Sequence, residues 1–249
     1  MMYGGFLKPF LTQESKLQKM HTRSGKIILL LLGIVISPLI LIAQRIWIAP
    51  GPNSNWIIPN PNTNWSPTGG PGNQILQWTG FGTATSNNNQ PNPSITYKQL
   101  YFSGTKAYTI TGNQITLKNT AAGGLGLIQS ASTANQTISL TGANQVIFND
   151  TLKSGVISTT NTGTLTLGNI ALGGGLNSLK IYGENIGATI TINGAILGSK
   201  PITIGPTESG DLKLNTRAIF SGNNSTFTGP IHIESGSLTL LATNSDGNS

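Results

Sequence analysis

The sequence predicts an all-β protein, a right-handed single-stranded parallel β-helix with an irregular Trp/Asn/Pro-rich N-terminal cap, preceded by a hydrophobic signal or anchor helix. Three observations carry that prediction. After residue 50 helix formers are scarce while Gly, Asn, Ser and Thr are abundant, which favours short strands joined by turns. Beyond Ser94 apolar and polar residues alternate with a period of two, in runs too short to hold a fold alone. Past Tyr108 only Phe148, Tyr182, Phe220 and Phe227 remain as aromatics, which suits a narrow interior of stacked aliphatic and hydroxyl side chains better than an antiparallel sandwich.

Residues 1–26 form a basic leader in which Lys8, Lys16, Lys19, Arg23 and Lys26 face only Glu14. Residues 27–43 follow as an apolar segment; Ile27 to Ile42 is broken only by Gly33, Ser37 and Pro38. A basic stretch followed by such a run reads as an export signal, which makes the Sec export machinery the first partner. Sixteen residues reach about 24 Å as a helix, longer than a usual signal core and shorter than the ~20 residues that cross a bilayer comfortably. Cleavage, with Ala43 as the candidate residue, and retention as an anchor are both open on these lengths. A buried amphipathic helix is not indicated, because polar positions at a 3.6 period are missing. The leader is long for a signal, so Met20 is a competing start.

Residues 44–93 are rich in Pro, Asn and Gly and hold all four tryptophans, of which Trp47, Trp56 and Trp65 are evenly spaced. That spacing predicts turns or short strands laid side by side, each giving one ring to a cover over the first exposed coil. Residues 94–249 carry the solenoid. Strands are predicted at Ile95–Tyr97, Tyr108–Ile110, Gln114–Leu117, Gln136–Leu140, Gln145–Phe148, Thr164–Leu167, Leu179–Tyr182, Ala188–Ile192, Pro201–Ile204, Asp211–Leu214, Pro230–Ile233 and Ser237–Leu241. Thr-Gly-Asn, Asn-Gly and Gly-Gly-Gly between them supply the positive φ that turns need.

Composition excludes some functions. Charged residues are 8% of the chain against 37% hydrophobic, so it is no disordered polyelectrolyte. Much of the +7 charge sits in the leader, and what remains is too dilute for a nucleic-acid footprint. With no cysteine there is no disulfide, thiol nucleophile or thiolate metal ligand.

The segment 210–241 contains Gly222, Asn224, Phe227 and Gly229 in a turn, then Gly236, Leu238 and Leu240 in a strand. It resembles the passenger-associated strand repeat of bacterial autotransporters, and Asn64-Trp65 with Tyr101-Phe102-Ser103-Gly104 resembles the opening of such passengers. The resemblance implies a surface-displayed β-helix carried across the outer membrane by a translocation barrel. No barrel is present in this sequence, which ends at Asp246-Gly247-Asn248-Ser249; the expectation is a fragment or a truncated member.

No catalytic, cofactor or metal residue is assigned, and no cofactor is expected. His232 stands alone beyond the apolar run; with Glu234 it fits the solvated face of a strand whose Ile231 and Ile233 point inward. The acids Asp150, Glu184, Glu208, Asp211, Glu234 and Asp246 are scattered, where glycoside chemistry needs a carboxylate pair. Gly123-Gly124-Leu125-Gly126 lacks dinucleotide or P-loop spacing. The sequons at Asn64, Asn135, Asn149 and Asn223 are expected by chance in so Asn- and Thr-rich a chain. The functional expectation is an exported surface passenger, structural or adhesive and not an enzyme, with a host-surface or glycan ligand and no nucleic-acid partner. The alternatives are a secreted carbohydrate-active β-helix enzyme and a two-partner-secretion adhesin, the latter hinted at by Asn60-Pro61-Asn62.

Overall fold

The computed structural model describes residues 44–50, 54–57, 64–68, 71–118, 126–149, 153–205 and 216–241. The apolar run, Ala43 and the predicted strand Asp211–Leu214 lie outside them. Among the described residues every regular element is a strand, so the chain is all-β.

Alternation decides how each strand sits. In Thr164–Leu167 the side chains of Leu165 and Leu167 turn inward and are fully buried, while Thr164 and Thr166 stay half-buried on the other side. Three such strands make one triangular turn. The first complete rung is Ile75–Trp78, Thr85–Asn88 and Thr96–Tyr97. The second is Gln99–Phe102, Tyr108–Gly112 and Ile115–Leu117; the third is Gly126–Ser130, Gln136–Ile138 and Val146–Phe148. Lys153–Thr159, Thr164–Leu167 and Ile170–Leu172 form the fourth, and Leu176–Gly183, Thr189–Ile192 and Ile196–Leu197 the fifth. Ile202–Ile204 and Arg217–Phe220 continue the stack, and Ile231–Ile233 with Ser237–Leu240 are its last described strands.

Successive rungs pair in parallel, which gives three sheets of nine, seven and five strands and makes the chain a parallel β-solenoid of about five full turns. In the first sheet Leu76, Leu100, Ile128, Ile157, Ile181, Ile204 and Ile233 share one column, each 23 to 29 residues after the last. Ile110, Ile138, Leu167, Ile192 and Phe220 form the matching column of the second sheet, and Ile115, Val146, Ile170 and Ile196 that of the third. All but the final Ile233 are almost completely buried. Each such side chain contributes roughly 1.5–3 kcal/mol of transfer free energy, a term that must offset the entropy of ordering many Gly and Asn residues.

One inward column, Trp78, Phe102, Ser130, Thr159 and Gly183, holds its two aromatic side chains at its start, with Trp78 stacked on Phe102 at 5.1 Å between centroids. The other tryptophans gather at that end. Gln44–Trp47 pairs in parallel with Ile75–Trp78 and antiparallel with Trp65–Ser66. The rings of Trp47 and Trp56 meet Trp65 edge-on at 5.0 and 5.7 Å, and all three are fully buried. Their indole N–H groups donate to Thr83 O, Ser86 Oγ and Trp56 O at 3.2, 2.7 and 3.1 Å, which satisfies the polar edge of each ring.

Parallel stacking therefore reaches back into the Pro/Asn-rich segment, ahead of the alternating texture that begins near Ser94. The reason is visible in Thr85–Asn88, whose inward residues are Ser86 and Asn88, polar yet fully buried. Asn88 Nδ2 donates to the carbonyls of Asn113 and Gln114, both at 3.0 Å. A strand whose core side is held by hydrogen bonds shows no hydrophobic period.

Candidate binding surface

The outward face of the second sheet carries a column of threonines. Thr85, Thr109, Thr137, Thr166 and Thr191 occupy equivalent positions on five successive strands, Ile219 interrupts, and Thr239 resumes the column. Their β-branched side chains suit a pleated surface, and neighbouring strands set the hydroxyls about 4.7–4.9 Å apart. Thr85 is exposed and the others are half-buried. Beside it lie Asn87 and Thr111 on one flank, and Thr164, Thr189, Arg217 and Ser237 on the other. Arg217 is the single charge in these three columns.

The turn from the second to the third sheet adds amides. An asparagine recurs there, and its side chain repeatedly bonds the neighbouring rung's backbone. Asn113 Nδ2 donates to Gln90 O at 2.9 Å, Asn169 Oδ1 accepts from Ala195 N at 2.9 Å, and Asn224 Oδ1 accepts from Ile196 N at 2.8 Å. These bonds fix the corner and leave few amide groups for a ligand. Near the cap the corner opens into a shallow cleft lined by Gln90, Pro91, Pro93, Asn113, Gln114 and Asn144.

The residues singled out for the strand repeat fall at one such corner and on the last rung. Gly222 is stacked on Gly194, and a Cβ there would run into the Gly194 backbone. Asn224 ties this turn to the rung before it, and Phe227 makes a parallel bridge to Gly198 and packs on the core. A Cβ on Gly229 would meet the Lys200 carbonyl at 2.5 Å, and Gly236 has φ +79°. Leu238 is half-buried and Leu240 exposed. The motif glycines thus serve close approach and turning, a backbone role.

The ionisable residues do not converge. His232 is exposed on the last described strand of the first sheet, in the column that includes Lys180 and Thr203, and Glu234 is exposed just past the end of that strand. Glu184 is exposed elsewhere, and Asp150, Glu208, Asp211 and Asp246 lie outside the described residues, as does most of Gly123–Gly126. Among the described residues no three His, Asp or Glu side chains come together. The threonine column was legible only in part: the sequence shows Thr-Ile-Thr, Thr-Ile-Ser, Thr-Leu-Thr and Thr-Ile-Thr runs, but irregular loop lengths hide that they align. Comparison with protein-family models, with curated proteins and with solved structures finds no match.

Proposed function

We propose that this chain is an exported bacterial surface passenger with a structural and adhesive role, resembling the passengers of autotransporters, and that the threonine face of its second sheet is the contact surface for a neutral glycan on another surface. The observation that carries this reading is the in-register hydroxyl column with one charge beside it. Repeated hydroxyls at fixed spacing offer donors and acceptors to a polymer of neutral sugars, and a rigid face loses little entropy on binding. The basic, apolar leader supports export, with Ala43 as the cleavage candidate, and the cysteine-free sequence suits passage through a pore unfolded.

The test replaces Thr109, Thr137 and Thr166 together by valine, which keeps shape and strand propensity and removes three hydroxyls. Binding of parent and variant to an array of neutral polysaccharides, and protease access to the solenoid on intact expressing cells, are then compared. The reading predicts binding by the parent that drops at least about tenfold in the variant, equivalent to ~1.4 kcal/mol, and surface access for both. Turnover of a polysaccharide that disappears with Glu208→Ala would overturn it in favour of an enzyme.

A further inference from the structure

Where the second sheet turns into the third, the first three rungs leave a shallow cleft of about 260 Å³ lined by Gln90, Pro91, Pro93, Asn113, Gln114 and Asn144. Gln90 to Pro93 follow Thr85–Asn88 in the first rung, Asn113 and Gln114 join two strands of the second, and Asn144 precedes Val146–Phe148 in the third. The walls are tied together from inside. Fully buried Asn88 accepts from Gln90 N at 3.1 Å and donates to Asn113 O and Gln114 O, both at 3.0 Å, while Asn113 Nδ2 donates to Gln90 O at 2.9 Å. Ser94 N donates to Asn92 Oδ1 at 2.9 Å, which holds the loop that carries the two exposed prolines. These bonds and the ring-fixed φ of proline restrain the walls, so filling the cleft orders little chain.

What the walls leave unused decides what fits. Among the described residues nothing bonds the side-chain carboxamide of Gln114. Asn113 and Asn144 turn Nδ2 toward the carbonyls of Gln90 and Gly112, at 2.9 and 3.3 Å, which leaves each Oδ1 as an acceptor. Gln145, in the position of Gln114 one rung on, keeps its Oε1 buried with no partner. None of the lining residues is charged, so an anion finds no cation here and a cation no carboxylate. Sugar hydroxyls, each both donor and acceptor, match the amides, and the proline rings offer apolar surface to the C–H face of a sugar. Pockets for drug-sized ligands begin near ~300 Å³, so a cleft just below that size holds one ring. We propose that this cleft is a subsite for one neutral sugar ring, held by Asn113, Gln114 and Asn144 against Pro91 and Pro93. The inference rests on the adhesive reading for its class of ligand and adds selection to it, because a repeating threonine column does not distinguish one ring from the next and a single cleft does. Asn113 is ~13 Å along the strand from Thr109 at about 3.3 Å per residue, so column and cleft are separable by mutation.

The test uses the full chain, labelled with nitrogen-15 in its glutamine side chains and held in lauryldimethylamine oxide, a detergent without a sugar headgroup. It is titrated with glucose, galactose, mannose, N-acetylglucosamine, glucuronic acid and glucosamine. At least one neutral sugar is expected to move the Gln114 side-chain signal, identified by its loss in Gln114→Ala, and to bind more tightly than either charged sugar. Asn144→Ala, read on the same signal, should weaken that binding about threefold to tenfold, the loss of one hydrogen bond. Gln114→Ala, with its β-sheet circular dichroism unchanged, should weaken binding to the matching polysaccharide by a similar factor. A still signal with every neutral sugar, a preference for a charged one, or equal affinity in Asn144→Ala overturns the subsite. Polysaccharide binding that needs Thr109, Thr137 and Thr166 and is untouched by Gln114→Ala overturns it and leaves the threonine reading standing. A neutral ring bound here beside a silent polysaccharide array supports the subsite and removes the threonine reading.

Discussion

Tyr97 lies in the aromatic cluster, edge-on to Trp56 at 5.3 Å between centroids, and its buried hydroxyl has no hydrogen-bond partner. Burial favours the neutral phenol and pushes its pKa well above the usual tyrosine value. The sign follows from proton binding. Below about pH 10, where an unfolded tyrosine titrates, both states hold the proton and stability is insensitive to this group. As pH climbs from there through the raised folded value, the unfolded chain ionises first and stability falls. Tyr97→Phe should therefore flatten the alkaline fall in melting temperature between pH 9 and 11, and leave stability at pH 7 equal or slightly higher because an unpaired hydroxyl is removed. Tyr108, also raised by burial, keeps the remaining slope; its hydroxyl donates to Phe81 O at 2.5 Å and accepts from Gly80 N at 2.9 Å. Gln136 marks the opposite case. Fully buried, it donates to Lys106 O, Ser132 Oγ and Ala134 O and accepts from Tyr108 N, all within 3.0 Å. Its polarity hides it as a core residue, although the alternation of the predicted strand sets it on the same face as Ile138.

At the scale of the strand, position in the stack decides what a side chain contributes. Ile181 has a rung above and below it, Ile157 and Ile204, and is fully buried; Ile233 has one neighbour in register and is half in solvent. Ile181→Ala should lower unfolding stability by about 2–5 kcal/mol, and Ile233→Ala by less than about 1 kcal/mol. Urea midpoints at constant slope would check both, and similar losses would mean that Ile233 is covered. Strands such as Thr164–Leu167, and Val146–Phe148 within the predicted Gln145–Phe148, were legible because alternation survives there. Thr85–Asn88 was not, because polar residues fill its inward positions. Arg217–Phe220 escaped because a charged residue leads into it, and Ile170–Leu172 because it follows Thr164–Leu167 after only two residues and merges with it in the sequence.

At the scale of the molecule, each rung touches only its neighbours, so stability is close to a sum of rung and interface terms. The tryptophan cluster anchors one end, and the last described rung carries exposed Ile233 and Leu240. Amide hydrogen exchange should accordingly show slow exchange in the middle rungs, from Gln99 to Ile192, and faster opening in Ile231–Leu240. Exchange in Ile231–Leu240 as slow as at Ile181 would contradict this gradient.

The sequence by itself determined the class of the fold, since alternation, Gly/Asn turns and the loss of aromatics leave few architectures other than a narrow solenoid. It also showed the evenly spaced tryptophans that form the cap. Only the tertiary structure decided which residues share a column. Rungs differ in length by up to six residues, so register is set by the packing of Leu76 on Leu100 and of each later pair, not by a fixed repeat. The threonine face is a product of that register, because an outward column exists only after strands distant in sequence have been stacked.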